Sequence, residues 1–150
     1  MQSTRRDLLK QTGALATLVS LGVVTAEQAA AAGKPAFEAK TLAEALKAIG
    51  AEAVASDKVS VNSPDIAENG AVVPVGANST LPNVTEVHLL VEKNPTPLAA
   101  QFMLPAGTTA DVQTRLKMGQ STDVIAVVKS DGKLYMAKKE TKVTLGGCGG

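Results

Sequence analysis

Residues 124–137 read VIAVVKSDGKLYMA, and this stretch indicates two strands joined by a tight turn. Val124–Val128 is an unbroken apolar run, which is typical of a strand that is buried on both faces. Asp131-Gly132 favours the left-handed backbone of a two-residue hairpin turn. Lys133–Ala137 then forms the second strand. The sequence therefore predicts an antiparallel pair of strands here.

Alternating sequences upstream of this hairpin predict further half-buried strands. Pro74 places one of them at an edge or a bulge of a sheet, because proline cannot donate a ladder hydrogen bond. In another, Glu86, His88 and Glu92 alternate with apolar residues, so we expect His88 to be exposed on the strand surface. The inward-facing positions are Val73, Val75 and Ala77, then Val87, Leu89 and Val91, then Val112, Thr114, Leu116 and Met118.

Together these strands predict an all-β fold. With weaker runs at Lys58–Val61 and Leu98–Leu104, the chain contains about seven short strands, most of them separated by turn sequences. Helices do not alternate with them, which argues against a parallel α/β sheet. We predict an immunoglobulin-like antiparallel β-sandwich at residues 58–145. The intersheet disulfide and buried Trp of antibody domains are absent from the sequence.

A short amphipathic helix is predicted before the strands, within residues 33–57. Thr41-Leu42-Ala43-Glu44 is a capping box, in which the Thr41 hydroxyl and the Glu44 carboxylate each bind a free backbone amide. Gly50 ends the helix. Its apolar face needs a surface to cover, either on the same sandwich or on a partner subunit. That face consists of Leu42, Ala45, Leu46 and Ile49.

The N-terminal residues 1–32 resemble an export signal. Arg5-Arg6 and Lys10 precede a mildly apolar stretch at residues 13–24, and small residues follow. Paired arginines followed by Leu-Leu-Lys resemble a twin-arginine signal, which exports folded proteins from the bacterial cytoplasm. We expect cleavage within residues 30–33 and a periplasmic protein. The apolar stretch is too short to serve as a membrane anchor.

Composition argues against several classes of function. The 150 residues carry 15 Lys+Arg and 14 Asp+Glu, and the chain is formally neutral without residues 1–32. A neutral chain has no electrostatic footprint for nucleic acid. One cysteine and one histidine exclude a disulfide framework and a multi-thiolate metal site, so we expect no metal and no cofactor. Only 2% of the residues are aromatic, so the core must be aliphatic.

The single cysteine lies in an unusual C-terminal sequence, Gly146-Gly147-Cys148-Gly149-Gly150. Glycine has no side chain and permits backbone conformations that other residues avoid, so this sequence favours a swinging arm with an accessible thiol. Such an arm can enter a narrow cleft on another protein and present one covalently held group. Neither an acid nor a histidine lies near Cys148 in sequence, so we expect no catalytic machinery on the arm itself.

Three lysines precede this arm, at positions 138, 139 and 142. Their positive charge favours the thiolate form of Cys148, whereas the carboxylate of Gly150 opposes it. We interpret the three lysines as a solvated strand face.

With these features the chain resembles the SoxY family, the sulfur-carrier subunits of the bacterial Sox thiosulfate-oxidation system. The most specific element is the C-terminal sequence Gly146–Gly150. Residues Pro64–Pro74, which read PDIAENGAVVP, also resemble the family. One departure is Leu8 in the twin-arginine stretch, where phenylalanine is commonest.

This resemblance implies a carrier that is not an enzyme, with Cys148 as the covalent attachment point. Arm flexibility is then provided by Gly146, Gly147, Gly149 and Gly150. The resemblance also implies a heterodimer with a second small β-sandwich subunit, SoxZ. A c-type cytochrome complex joins thiosulfate oxidatively to the cysteine, and a hydrolase releases the terminal sulfonate as sulfate. Where it is present, a sulfane dehydrogenase oxidises the remaining persulfide.

Two other functions fit parts of the sequence. In a thiocarboxylate sulfur carrier the reactive group is the Gly150 carboxylate, which is activated with ATP, usually on a β-grasp fold. ATP is absent outside the cytoplasm. In an immunoglobulin-like structural module, the Cys148 thiol forms a permanent intermolecular disulfide. Non-reducing electrophoresis distinguishes this module from a carrier, because a carrier releases its adduct and regenerates the thiol.

Overall fold

Nine strands and two short helices make up residues 34–50 and 52–144, the part of the chain that the computed structural model describes. The helices are α1 (Lys34–Glu38) and α2 (Leu42–Ile49), and the strands are β1 (Ala53–Ala55), β2 (Val59–Asn62), β3 (Ile66–Ala67), β4 (Val73–Ser79), β5 (Val84–Val91), β6 (Leu98–Met103), β7 (Asp111–Leu116), β8 (Thr122–Ser130) and β9 (Lys133–Val143). The predicted export signal and the predicted arm lie outside the described residues.

The strands form two sheets, which confirms the predicted immunoglobulin-like β-sandwich. The larger sheet has the order β1-β9-β8-β5-β6, and the smaller has the order β2-β4-β7. β3 pairs with the same edge of β9 as β1 does, and both pairs are parallel. The sequence pattern did not predict these two short parallel strands. The sandwich also begins at Ala53, earlier than the predicted residue 58.

β8 and β9 form the predicted hairpin. Their register runs without interruption from the pair Thr122–Thr141 to the pair Ser130–Lys133. Asp131 and Gly132 have φ angles of 48° and 76°, which are the left-handed values that a type I′ turn requires. Val124–Val128 are all buried, because the larger sheet is covered on both faces.

Each face of the larger sheet buries its own hydrophobic cluster. On the inner face, Val87, Leu89 and Val128 pack against the smaller sheet. On the outer face, β5, β8 and β9 contribute Leu90, Ile125, Val127 and Leu134, and these side chains cluster with residues of α1 and α2. The helix α2 therefore covers its own sandwich, which resolves the choice that the sequence left open.

The predicted capping box is present at the start of α2. The Glu44 N–H donates to Thr41 Oγ1 at 3.2 Å, and the Thr41 N–H donates to Glu44 Oε2 at 3.3 Å. The Lys40 N–H donates to the same carboxylate oxygen at 3.0 Å. These bonds satisfy amides that the helix itself leaves free, and they fix the first turn on the sheet.

His88 is buried, so the prediction that it lies exposed on the strand surface is wrong. It lies on β5 on the same face as Leu90, and only 2% of it is exposed. Its Nε2 lies 3.1 Å from Glu86 Oε2, and the Lys129 ammonium donates to Glu86 Oε1 at 3.1 Å. Nδ1 has no hydrogen-bond partner among the described residues. The alternation predicted the face correctly, but β5 is a central strand whose outer face is also covered.

The buried imidazole predicts a pH dependence of folding. Burial lowers the pKa of His88 below 6.5; Glu86 opposes this effect and Lys129 adds to it. The unfolded chain therefore binds more protons than the folded protein as the pH falls below about 6.5, and stability decreases. We expect the free energy of unfolding in urea to fall less between about pH 7 and about pH 5 in His88→Gln than in the wild type. The substitution keeps a hydrogen-bond donor for Glu86. An equal loss in both proteins would contradict this assignment.

Candidate functional site

The described chain reaches Thr144, four residues before Cys148. Cys148 and the glycines at 146, 147, 149 and 150 lie outside the described residues, so their roles stay predictions. We define residues 141–144 as the arm root. At about 3.3–3.6 Å per extended residue, the Cα of Cys148 lies within about 14 Å of the Thr144 Cα. The arm root therefore limits where the thiol can act.

Hydrogen bonds hold the arm root on both edges of β9. On one edge, the Val143 N–H donates to Ser121 Oγ at 2.8 Å. On the other edge, the Lys142 N–H donates to the Asp65 carbonyl at 2.9 Å, and the Thr144 N–H donates to the Ala67 carbonyl at 3.1 Å. Backbone pairing thus extends to the last described residue, so the arm begins from a fixed point.

The carbonyl groups that accept hydrogen bonds on the second edge of β9 belong to residues 64–74, the stretch that resembles the family. Ile66 and Ala67 pair with Lys142 and Val143 in parallel register. Gly70 follows, and the Met118 N–H donates to its carbonyl at 2.7 Å. The sequence indicated that this stretch is familial, and the structure shows that residues 65–67 and Gly70 within it lie against the arm root.

Gly70 is required by close packing at the arm root. A Cβ at this position would lie 2.9 Å from Val143 Cγ1 and even closer to the Met118 carbonyl oxygen. Real Cβ atoms do not approach a backbone oxygen so closely, so only glycine fits without a shift. Asn69-Gly70 is one of the turn sequences between the predicted strands, but a turn signal does not indicate close packing against β9.

Two of the three lysines that precede the arm are engaged in ion pairs. Lys138 Nζ lies 3.2 Å from Asp123 Oδ2, and Lys139 Nζ lies 2.9 Å from Asp65 Oδ1. Lys139 also donates to the Ser63 carbonyl at 2.6 Å, and the Thr141 hydroxyl donates to Ser63 Oγ at 2.8 Å. Lys139 and Thr141 therefore fasten residues 63–65 to β9, whereas Lys138 balances a carboxylate on β8.

Residues 34–50 and 52–144 contain no cluster of three or more His, Cys, Asp or Glu side chains that could hold a metal ion. Within those ranges, no helix has both the length and the apolar character needed to cross a bilayer.

The family model of the sulfur oxidation protein SoxY matches residues 45–148, from α2 through all nine strands to the C-terminal cysteine. The chain belongs to the SoxY family. The match includes the stretch at residues 64–74 and ends at Cys148, so it takes in one of the two elements that carried the resemblance and the first three residues of the other.

Solved structures agree with this membership. The sulfur carrier protein SoxY from Chlorobium limicola f thiosulfatophilum superposes with a TM-score of 0.64 at 33% identity, over 72% of this chain and 96% of that chain. A superoxide reductase (neelaredoxin) from Ignicoccus hospitalis gives a TM-score of 0.52 at 19% identity, over 58% of this chain and 80% of that chain. The second likeness shows a shared fold alone. No curated protein sequence matches the chain with significance.

Ser121→Ala is expected to loosen the arm root while leaving the sandwich folded. The substitution removes the acceptor of the Val143 N–H, which is worth about 1 kcal/mol, or roughly a fivefold faster opening of that amide. Hydrogen exchange at the Val143 amide measures this directly. Ser56→Ala removes a hydroxyl that accepts the Lys58 N–H at 3.2 Å in another loop, so it serves as a control. Equal Val143 exchange rates in both variants would refute the role of Ser121.

Proposed function

We propose that this protein carries sulfur-oxidation intermediates covalently on Cys148. The main support is the SoxY family match, which spans residues 45–148 and so includes the sandwich and Cys148. The chain has one cysteine, so a thiol-bound adduct has one possible position. The arm root supports the same role, because it is fixed to within four residues of that thiol. The glycines on either side of Cys148 leave the sulfur without neighbouring side chains.

In the loading reaction, the Cys148 thiol and thiosulfate are joined by a new S–S bond. The products are Cys148–S–S–SO₃⁻, one proton and two electrons. The c-type haems of the cytochrome complex are the oxidant and accept both electrons. The protein contributes the nucleophilic sulfur and its position.

In the release reaction, water attacks the terminal sulfonate. The S–S bond to that sulfonate breaks, sulfate leaves, and a persulfide stays on Cys148. A separate hydrolase performs this step. A sulfane dehydrogenase, where it is present, then oxidises the persulfide sulfur before a second hydrolysis restores the thiol. The carrier itself is not an enzyme in this scheme, since each step uses groups of another protein.

We also propose that the carrier works in the periplasm as a heterodimer with a SoxZ-type β-sandwich. The twin-arginine sequence at Arg5-Arg6 supports export. Only 2% of the residues in the chain are aromatic, so the core has few large side chains. This supports a partner, because a second subunit can bury further apolar surface. A neutral body also avoids repelling an anionic substrate.

Replacement of Arg5 and Arg6 by lysines is expected to retain the protein in the cytoplasm. Twin-arginine export depends on the arginine pair, and the paired lysines preserve the charge. Cell fractionation followed by immunoblotting measures the periplasmic fraction. Lys10→Arg serves as the control, because it changes a basic residue outside the pair. Normal periplasmic levels of the double-lysine variant would show that another route is used.

Labelled thiosulfate tests the carrier function in vitro. The carrier, in complex with SoxZ, is incubated with the cytochrome complex and thiosulfate that is radiolabelled at either its sulfane or its sulfonate sulfur. We expect both labels on the carrier, and both should be released by dithiothreitol. After the hydrolase is added, the sulfane label should stay on the protein, and the sulfonate label should appear as sulfate. Absence of label from the carrier would refute the proposed function.

A further inference from the structure

We propose that the SoxZ-type subunit pairs one of its strands with the free edge of β6 (Leu98–Met103), so that the larger sheet continues into the partner. We call this surface the β6 edge, and it consists of the backbone groups of β6 that point away from β5. The inference rests on the heterodimer proposed above and assigns to it the interface on the carrier.

The β6 edge has backbone groups that no described strand pairs with. β6 is the last strand in the order of the larger sheet, where it pairs with β5. The Leu104 N–H donates to the Thr85 carbonyl at 2.8 Å, so the alternate residues before Leu104 bond to β5 in the same way. The N–H and C=O groups of Gln101 and Met103 lie between them and therefore point to the opposite side, away from β5.

The β6 edge is not protected by charge. The 17 residues between Lys93 and Asp111 contain no Asp, Glu, Lys or Arg, in a chain in which 19% of the residues are charged. Natural proteins often place charged side chains on free edge strands, which prevents pairing with other chains. β7, at an edge of the smaller sheet, carries Asp111 and Arg115. β6 lacks the protection that β7 has, as expected of an edge that a partner covers.

The side chains of β6 add apolar surface to these backbone groups. Ala100 and Phe102 pack against the cluster between the sheets but are only half-buried. Met103, whose cross-strand partner is Glu86, is 65% exposed, more than the other exposed large hydrophobic side chains of the described residues. A strand added to the β6 edge covers part of this surface, which is energetically favourable.

These features specify the chemistry of the partner. Unpaired N–H and C=O groups on an extended backbone are matched by the backbone of another strand, as in β-strand addition. Depletion of charge is typical of the core of a stable interface. A SoxZ-type subunit is itself a β-sandwich, so it has edge strands that can pair in this way, because only a closed barrel lacks them.

The position of the β6 edge favours a permanent subunit over a processing enzyme. β5 and β8 separate β6 from β9. Cross-strand partners lead from Gln101 through these strands to Met136 on β9, which is eight residues before Thr144, or about 26 Å along an extended strand. The Cα of Cys148 lies within about 14 Å of the Thr144 Cα. A subunit on the β6 edge therefore leaves the arm root open to the enzymes.

The test compares Gln101→Pro with a matched control, Gln113→Pro. Proline removes one N–H from the β6 edge and leaves the bonds to β5 in place, since Gln101 N–H points outward. Gln113 has the equivalent position on β7: the Ser79 N–H donates to the Ala110 carbonyl at 2.9 Å, so the Gln113 N–H points away from β4. Thermal unfolding verifies that both variants fold.

The first measurement is the dissociation constant of the carrier–SoxZ complex, obtained by titration of the purified subunits. We expect Gln101→Pro to raise the Kd about tenfold, because an interstrand hydrogen bond is lost and a buried carbonyl of the partner keeps no donor. Gln113→Pro should leave the Kd unchanged. Met103→Lys places a charge on the edge without changing the backbone, so it should also weaken binding, and it replaces Gln101→Pro if proline prevents folding.

Hydrogen exchange of the wild type gives an independent measurement. The amides of Gln101 and Met103 should exchange rapidly in the isolated carrier and slowly in the complex with SoxZ. The outward-pointing amides of Gln113 and Arg115 on β7 should exchange at the same rate in both.

The other outcomes count against the β6 edge in different ways. Unchanged exchange at Gln101 and Met103 in the complex would overturn this interface and leave the heterodimer intact. Slow exchange at both amides before SoxZ is added, together with a dimer in sedimentation, would assign the edge to a second copy of this chain. Failure of the wild type to bind SoxZ would overturn the heterodimer and this interface with it, whereas labelled thiosulfate tests the carrier function separately.

Discussion

Replacing Cys148 with serine is expected to abolish thiosulfate oxidation completely. Serine has nearly the same size as cysteine, but its hydroxyl cannot form the S–S bond that holds thiosulfate. The two hydrophobic clusters consist of residues that precede Thr144, so we expect folding and SoxZ pairing to be unchanged. Thiosulfate-dependent oxygen uptake by cells that express the variant measures the loss.

Respiration on an organic substrate is the control for this experiment, because it does not pass through the carrier. Normal thiosulfate oxidation by the Cys148→Ser strain would refute the carrier function. It would then favour a thiocarboxylate carrier, whose reactive group is the Gly150 carboxylate. An immunoglobulin-like structural module instead predicts the loss of a permanent disulfide-linked species on a non-reducing gel.

Gly70→Ala is expected to destabilise the sandwich and to loosen the arm root. The added methyl group would lie 2.9 Å from Val143 Cγ1 and closer still to the Met118 carbonyl, so β9 or the loop after β7 must move. Overpacking of this kind costs about 1–3 kcal/mol. We expect a lower urea-unfolding free energy by that amount, together with faster hydrogen exchange at Thr144, which is bonded to Ala67.

Gly119→Ala is the matched control, because it adds the same methyl group in a neighbouring loop. A Cβ at Gly119 would have no atom within 4 Å, so its unfolding free energy should stay close to that of the wild type. If Gly70→Ala were as stable as Gly119→Ala, the packing of residues 64–74 against the arm root would not be required for the fold.

Local patterns predicted most of the sandwich. The β8–β9 hairpin follows from an apolar run and an Asp-Gly turn, which are contiguous in sequence. The start of α2 follows from a capping box of four residues. The parallel strands β1 and β3 could not be predicted, because they are two or three residues long and acquire their structure only by pairing with distant β9. The burial of His88 likewise depends on what covers β5.

At the candidate site too, features that are contiguous in sequence could be predicted, and pairings between distant residues could not. Cys148 stands out because its glycine neighbours are adjacent in sequence. The groups that fix the arm root do not stand out in the sequence, because Ser121 lies 22 positions before Val143 and Ala67 lies 77 positions before Thr144. Nothing in the local sequence of Ser121 indicates a role at the C-terminus. Only the sheet pairing brings these residues together.

The intact mass of the protein from the periplasm of thiosulfate-fed cells tests the central claim most directly. The spectrum is recorded with and without reductant, and the C-terminal peptide is then mapped. We expect masses that correspond to added sulfane sulfur or a thiosulfonate on Cys148, and reductant should remove them. An unmodified mass, a simple disulfide dimer, or a modification at the Gly150 carboxylate would contradict the carrier function.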